Sequence, residues 1–375
     1  MAGGERLNRT QHRVFAKSSV SMGELAEGSI DLVVTSPPYP MIAMWDGLFS
    51  GINPEIGVLL EEDAGAAHEL MHKELDKTWA ELRRVVKGGG TVCINIGDAA
   101  RAVGDDFSVY PNHARVVSKM AELGFSVLPG IIWRKPTNAP NKFMGSGMLP
   151  AGAYVTLEHE HILLFRKGGK RAFSEEEKAL RRESAYFWEE RNEWFSDIWE
   201  LGGRRQMVDA GSARRSAAYP LELPRRLILM FSIYGDTVLD PFLGTGTTMR
   251  AAMALGRNSA GYELDGSLAE LSKRGALDGI EGCRGMGEAR LCRHAAFVKS
   301  RAESGKEVKY TNERYGFPVV TSHERGIVLY RPSDARERSD GVIEVGYRAI
   351  VEGGGLPSGR PRGDDAVTAR TANIL

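Results

Sequence analysis

The stretch "DTVLDPFLGTGTTMRAAMALGRNSAGYELD", Asp236 to Asp265, decides how the rest of the chain reads. A short strand is expected from Thr237 to Leu239. Pro241 then breaks the hydrogen-bond ladder, and Gly244 and Gly246 permit a tight turn. A helix is expected from Thr247 to Leu255, followed by a second strand that ends at Glu263. This is a βαβ unit, and its glycines let a ligand approach the main chain closely. Open α/β sheets bind ligands beyond the carboxyl ends of their strands, where Glu263 is placed to accept hydrogen bonds from two ribose hydroxyls. The turn lacks the Gly-Lys-Ser/Thr ending of a phosphate loop, and it departs from G-x-G-x-x-G because Thr247, Thr248 and Met249 follow Gly246. The favoured ligand therefore has a nucleoside part and no pyrophosphate.

Working outward, the same alternation recurs. "IDLVVTS" (Ile30–Ser36) reads as a buried strand. His68 to Gly90 carries Leu70, Leu75, Trp79, Leu82, Val85 and Val86 at roughly helical spacing, with three glycines as its stop. "TVCINIGDA" reads as a strand, "PNHARVVSKMAELGF" as a helix and "SVLPGIIWRK" as a strand. Strands alternating with helices predict a largely parallel α/β sheet. After Lys135 the chain turns to Pro, Gly and Asn. "EHEHILLFRKGGKR" then reads as a strand with a basic turn, and Trp188, Trp194 and Trp199 read as core. Residues 306–332 suggest short strands, and the last 25 or so residues read as loop.

The 375 residues are 42% hydrophobic and 26% charged, an ordinary globular balance. Lys+Arg and Asp+Glu are both 49, so total charge favours neither nucleic acid nor membrane, and only local clusters can. Cys93, Cys283 and Cys292 form no metal-ligand spacing and, being odd in number, no disulfide framework. The start has no apolar secretory segment, and no run is long enough to span a bilayer. A cytoplasmic protein with no membrane partner and no metal is expected.

The strand at Ile30 ends in "TSPPY", Thr35 to Tyr39. Prolines fix φ and cannot donate to a ladder, so this is a rigid corner with a hydroxyl before it and a ring after it. Taken together, "TSPPY", "DPFLGTGTT" and "GYELD" resemble the amino-group DNA methyltransferases, which methylate cytosine N4 or adenine N6 with S-adenosylmethionine. "LRRVVKGGGTVCINIGD", "IIWRKP", "EHEHILLFRKGGKR", "SDIWEL" and "YPLELPRRLI" resemble further segments of that family in the same order. The similarity spans roughly residues 20 to 270, and the catalytic motif precedes the cofactor motif, as in the circularly permuted β group.

The resemblance implies a Rossmann-like S-adenosylmethionine-dependent fold: a mostly parallel twisted sheet with helices on both faces and permuted motif order. It implies a catalytic half at 20–135, a target-recognition region at 136–205, a cofactor half at 206–275 and an extension of unassigned role at 276–375. Ser36, Pro37, Pro38 and Tyr39 would be catalytic, with Ser36 Oγ and the Pro37 carbonyl accepting the amino protons and Tyr39 stacking on an extruded base. Asp240, Phe242, Gly244, Thr245, Gly246 and Glu263 would hold the cofactor, and Pro220 is a weaker candidate. Asp98 either lines the pocket or caps a helix.

Lys142, Arg166, Lys167, Lys170 and Arg171, with Arg204 and Arg205, are the candidate contacts to double-stranded DNA. His159 and His161 share a strand face without a supporting ligand set, and are taken as structural or DNA-facing. The serine form of the corner is more typical of cytosine-N4 enzymes, and the aspartate form of adenine-N6 enzymes. The expected activity is therefore cytosine-N4 methylation at a specific site in a restriction–modification system, with a cognate restriction endonuclease as possible partner. The alternatives are adenine-N6 methylation, methylation of a guanine amine in RNA, and a catalytically silent DNA-binding protein.

Overall fold

The computed structural model describes residues 6–103, 106–135, 144–145, 149–202 and 219–350. Its frame is a ten-stranded sheet. The strands, in chain order, are β1 (Arg9–Phe15), β2 (Ile30–Thr35), β3 (Val86–Ile96), β4 (Phe125–Arg134), β5 (His159–Lys167), β6 (Ile198–Glu200), β7 (Thr237–Asp240), β8 (Asn258–Tyr262), β9 (Tyr330–Glu337) and β10 (Ile343–Ala349). Across the sheet they run β6-β4-β5-β3-β2-β7-β8-β1-β10-β9. The five central strands, β3 to β1 in that order, are parallel. β5 is antiparallel to both of its neighbours, β3 and β4.

Every residue of β2 is buried, as expected of a strand covered on both faces. Val33 packs on one side with Met71, Leu75, Trp79 and Leu82 of α1 (Ala64–Val85) and with Val116 and Met120 of α2 (Asn112–Glu122). Leu32 and Val34 pack on the other side with Leu223, Leu227 and Ile228 of α3 (Glu222–Phe231) and with Ala251 and Ala252 of α4 (Thr247–Ala254). The period of two along the strand thus meets the helical period on each face. From β2 the chain crosses through α1 to β3 on one side, and from β7 it crosses through α4 to β8 on the other. The strand order therefore reverses between β2 and β7, which opens a crevice at their carboxyl ends.

One expectation needs correction. The glycines of "VKGGG" do not end α1, which stops at Val85. They lie in β3, where Gly89 has φ 83° and a Cβ would stand 2.6 Å from the Arg171 main chain. Within the stretch 136–205, expected as the target-recognition region, the strands β5 and β6 belong to the main sheet. The described part of the extension, up to Ile350, joins the main body. A helix at Ile280–Glu303 packs along β9, and β10 pairs antiparallel with β1, a strand that lies before residue 20. Trp194 and Trp199 are core, as expected, and Trp188 is partly buried. No helix among the described residues is long and apolar enough to cross a membrane.

Candidate active site

β2 and β7 are neighbours with Leu32 opposite Val238 and Val33 opposite Leu239. Their corners, 205 residues apart in sequence, are joined where Thr35 Oγ1 donates to Asp240 Oδ1 at 2.7 Å. Asp240 is buried, and Phe242 N, Thr35 and Tyr219 all donate to its carboxylate. Burial raises its pKa from the ordinary value of 3.8 to about 6. Tyr219 also meets the Thr248 hydroxyl, which lies 3.3 Å from the Val34 carbonyl. Asp240, expected among the cofactor residues, is buried and ties the two corners together from beneath. Pro220 leads into α3, and its neighbour Tyr219 makes the polar contact.

Above Asp240, the residues Phe242 to Gly246 form the loop. Gly244 has φ 54° and Gly246 φ 80°, conformations that favour glycine. Nothing lies within 4 Å of where a Gly244 Cβ would stand, so open space remains beside the main chain. Glu263 follows β8 and is partly exposed. Its Oε2 accepts from Gly244 N at 2.8 Å and its Oε1 from Asp265 N at 3.0 Å. Each carboxylate oxygen keeps a second lone pair, so the pair can still receive two ribose hydroxyls. Thr245 sits half-buried between the glycines, and Phe242 meets Trp79 edge-on at 5.9 Å. The loop's shape and Glu263's acceptors suit a nucleoside without a pyrophosphate.

At the serine-proline corner, Pro37 is buried and Ser36, Pro38 and Tyr39 are partly buried. Ser36 Oγ donates to Tyr39 Oη at 3.0 Å, and Tyr39 Oη donates to Glu160 Oε2 at 2.9 Å. Asn95, near the end of β3, donates through Nδ2 to Tyr39 Oη at 2.8 Å and to Glu160 at 2.6 Å. Lys135 pairs with the other Glu160 oxygen. Burial, reinforced by the Glu160 charge, holds the Tyr39 phenol well above its ordinary pKa. Tyr39, Ile42, Gly97, Asp98, Lys135 and Glu160 are among the walls of a cleft of about 380 Å³. That is room for one planar heterocycle.

Asp98 lines the cleft, as one of its two expected roles has it; it is not a helix N-cap, because a strand (Ala99–Val103) follows it and Pro111 stands at the N-cap of α2, whose His113 N nevertheless donates to Asp98 Oδ1 at 3.1 Å. It also pairs with His113 Nδ1 at 2.7 Å, and Asp98, His113 and His161 bring ligand atoms within 4.8 Å of one another. The His113 and His161 rings are stacked, with centres 4.0 Å apart and planes 20° apart. A metal ion lies in the plane of each imidazole that binds it, and these planes meet only far from the rings. The trio is therefore a stacked, hydrogen-bonded cluster and not a ligand set, in keeping with a structural reading of His161. His159 lies edge-on to it at 4.9 Å and lines the cleft.

The basic cluster is displaced from this site. β5 runs antiparallel, so it begins at the carboxyl edge with Glu160 and ends at the opposite edge with Lys167, about 23 Å further along at ~3.3 Å per residue. There Lys167 Nζ donates to the Val86 carbonyl at 2.7 Å, and Arg166 Nε to the Gly168 carbonyl at 3.2 Å. Arg171 forms a two-pronged pair with Asp236 at 2.6 and 2.9 Å and also bonds Glu177. Lys170 is exposed on the same far edge. Arg166, Lys167, Lys170 and Arg171 thus lie at the wrong end of the sheet to flank the cleft, and Lys167 and Arg171 serve the scaffold. Lys142, Arg204 and Arg205 lie outside the described residues. The sequence reading missed Asn95, Lys135, Tyr219 and the role of Glu160. Glu160 and Lys135 reach the site through the antiparallel placement of β5 against β3 and β4, Asn95 through the end of β3, and Tyr219 from the segment that enters α3.

Residues 30–274 match the DNA methylase family model of the N6/N4 methyltransferases. The chain is 51% identical over 347 residues to the type II methyltransferase M.MthZI of Methanothermobacter thermautotrophicus, a match covering 91% of this chain and 96% of that protein. It is 50% identical over 271 residues to M.MjaI of Methanocaldococcus jannaschii, also a type II methyltransferase, covering 69% and 89%. A candidate DNA modification methylase of Thermus thermophilus, solved with S-adenosyl-L-methionine, matches at 33% identity and a TM-score of 0.55, covering 71% of this chain and 95% of that one. The cytosine-N4-specific PvuII DNA methyltransferase shares the fold at 17% identity and a TM-score of 0.50, covering 70% and 85%. Two corners joined at adjacent strand ends, a glycine loop shaped for a nucleoside and this extent of likeness lead to one conclusion: the chain belongs to the N6/N4 family of DNA methylases.

Proposed function

We propose that the chain methylates the exocyclic N4 of cytosine at a specific site in double-stranded DNA, as the modification enzyme of a restriction–modification system. The observation that carries this reading is the Thr35–Asp240 bond, which fixes the serine-proline corner beside the glycine loop. The methyl donor is S-adenosylmethionine, which supplies an electrophilic methyl group on a sulfonium. Glu263 receives its ribose hydroxyls, while Phe242, Gly244, Thr245 and Gly246 shape the loop beside it.

The target amine is stacked inside the duplex, so its base must be turned out at a cost of a few kcal/mol. The cleft beside Tyr39 receives it, and the ring supplies a stacking face worth about 1–3 kcal/mol. The amine is a weak nucleophile because its lone pair is delocalised into the ring. Ser36 Oγ and the Pro37 carbonyl accept its two hydrogens and oppose that delocalisation, and the Pro37-Pro38 pair holds both acceptors rigid. The nitrogen forms the new bond to the methyl carbon, the carbon–sulfur bond breaks toward sulfur, and the amine releases one proton to water. Alignment of this kind supplies up to ~7–11 kcal/mol of barrier reduction. No enzyme nucleophile is needed, and burial pushes the Cys93 thiol far up, out of its reactive range.

Recognition of neighbouring bases is assigned to the stretch leading into β5, where Leu157, Glu158 and His159 line the cleft. A restriction endonuclease reading the same site is the implied partner, and the cytoplasm the implied compartment. The test is to incubate the protein with DNA and S-adenosylmethionine, digest to nucleosides and identify the product by mass spectrometry. N4-methylcytosine is expected. N6-methyladenine would overturn the choice of base, and unmodified DNA would overturn the activity.

A further inference from the structure

A serine hydroxyl is both donor and acceptor, whereas the amine it must hold during transfer offers only hydrogens. Ser36 can accept from the amine only if its own proton points elsewhere. We propose that Tyr39 and Glu160 form a one-way hydrogen-bond chain that disposes of the Ser36 proton and leaves its lone pairs facing the substrate. This inference rests on the methyltransferase reading above, and it casts Tyr39 and Glu160 as positioning residues acting through Ser36.

The direction of the chain follows from its members. Glu160 has no proton to give as a carboxylate, so at 2.9 Å the Tyr39 phenol must donate to it. Tyr39 Oη then has only lone pairs left, and these receive the Asn95 amide at 2.8 Å and the Ser36 hydroxyl at 3.0 Å. Asn95 Nδ2 also donates to Glu160 at 2.6 Å, and Lys135 neutralises the other oxygen, so the terminal acceptor is held from two sides. Each proton in the series points away from the base position. The elevated Tyr39 pKa agrees with a phenol that keeps its proton and passes only a hydrogen bond. The arrangement also explains why a glutamate on β5, 121 residues beyond the corner, reaches into it.

An aspartate at position 36 would accept hydrogens without any such chain, and that difference supplies the test. Tyr39→Phe keeps the stacking ring and removes only the hydroxyl. In the Ser36 protein it is expected to lower single-turnover methyl transfer about tenfold or more, the scale of one hydrogen bond to a charged network. In a Ser36→Asp background the same change should cost less than about threefold, because the two positions are then uncoupled. Equal costs in both backgrounds would show that the hydroxyl acts by packing and would overturn the chain.

Should Ser36→Asp be inactive, the cycle of Tyr39→Phe with Glu160→Gln decides instead. The double variant should lose no more than Tyr39→Phe alone, and additive losses would overturn the proposal. S-adenosylmethionine affinity, measured by calorimetry on each variant, reports whether the fold and cofactor site survive. A wild-type protein that methylates no DNA sinks the methyltransferase reading itself. Wild-type transfer with the wrong coupling sinks only the chain.

Discussion

The two ends of β5 use similar residues for opposite purposes. At its start, Glu160 meets Tyr39, Asn95 and Lys135 in a cleft that stays open to a ligand. Beyond its end, Arg171 meets Asp236 and Glu177 in a contact that leaves the arginine side chain 18% exposed. Both are networks of charge and hydrogen bond at strand termini. They differ in which edge of the sheet they occupy. The carboxyl edge lies at the switch of strand order, where the crossovers diverge and leave a crevice. At the amino edge, Asp31 at the start of β2 and Asp236 just before β7 would be buried charges without Arg171 and Lys87. Charge density in a sequence therefore does not tell a site from a brace. Strand direction does.

The largest expected effect falls on the brace. Arg171→Ala should lower unfolding free energy by about 3–5 kcal/mol, since it leaves Asp236 buried and uncompensated. Urea denaturation measures this, and methyl transfer by the fraction that stays folded should be unchanged. If activity falls while stability holds, the contrast between the edges fails.

Next comes the tie beneath the two corners. Asp240 titrates near 6 in the native protein, against an ordinary 3.8. Between those values the unfolded chain has lost the proton and the native chain keeps it. Stability therefore falls as pH rises from about 4 to about 6, by about 3 kcal/mol from this group. In Asp240→Asn, urea midpoints at pH 4 and pH 7 should differ less in this sense than in the wild type.

At the carboxyl edge, Ser36→Ala should reduce methyl transfer about 100-fold or more, the scale for removing one positioned polar group from a reacting centre. Its affinity for S-adenosylmethionine should be unchanged, and full activity would remove Ser36 from the mechanism. Glu263→Ala should weaken that affinity about tenfold or more through lost hydrogen bonds to a carboxylate. Unchanged affinity by calorimetry would end the ribose assignment. The smallest effect belongs to Lys170→Ala, exposed on the far edge, which should shift stability by less than about 0.5 kcal/mol and leave DNA affinity as it was. A steep loss of DNA binding there would restore the basic turn as a DNA face.

Much of the frame was legible in local pattern. β2, α1, the β7–α4–β8 unit and the tryptophans in the core follow from periodicity and from Gly and Pro punctuation, which are properties of neighbours in the chain. The turns that carry Ser36, Tyr39 and Glu263 were legible because they are rigid and local. Asp240 was legible as a strand end, but its burial was not, because that depends on Thr35 and Tyr219 arriving from other elements. The basic turn was misplaced because a run of lysines and arginines carries no record of which way its strand points.

The sequence by itself determined the fold class and the two corners, because a strand, a glycine turn and a diproline are written in consecutive residues. The tertiary structure alone decided that the corners touch, that β5 enters the sheet reversed, and that Glu160 reaches Tyr39 while Arg171 leaves for the opposite edge. Those outcomes rest on strand pairings between segments far apart in the chain, and their register is set by burial on both faces of the sheet.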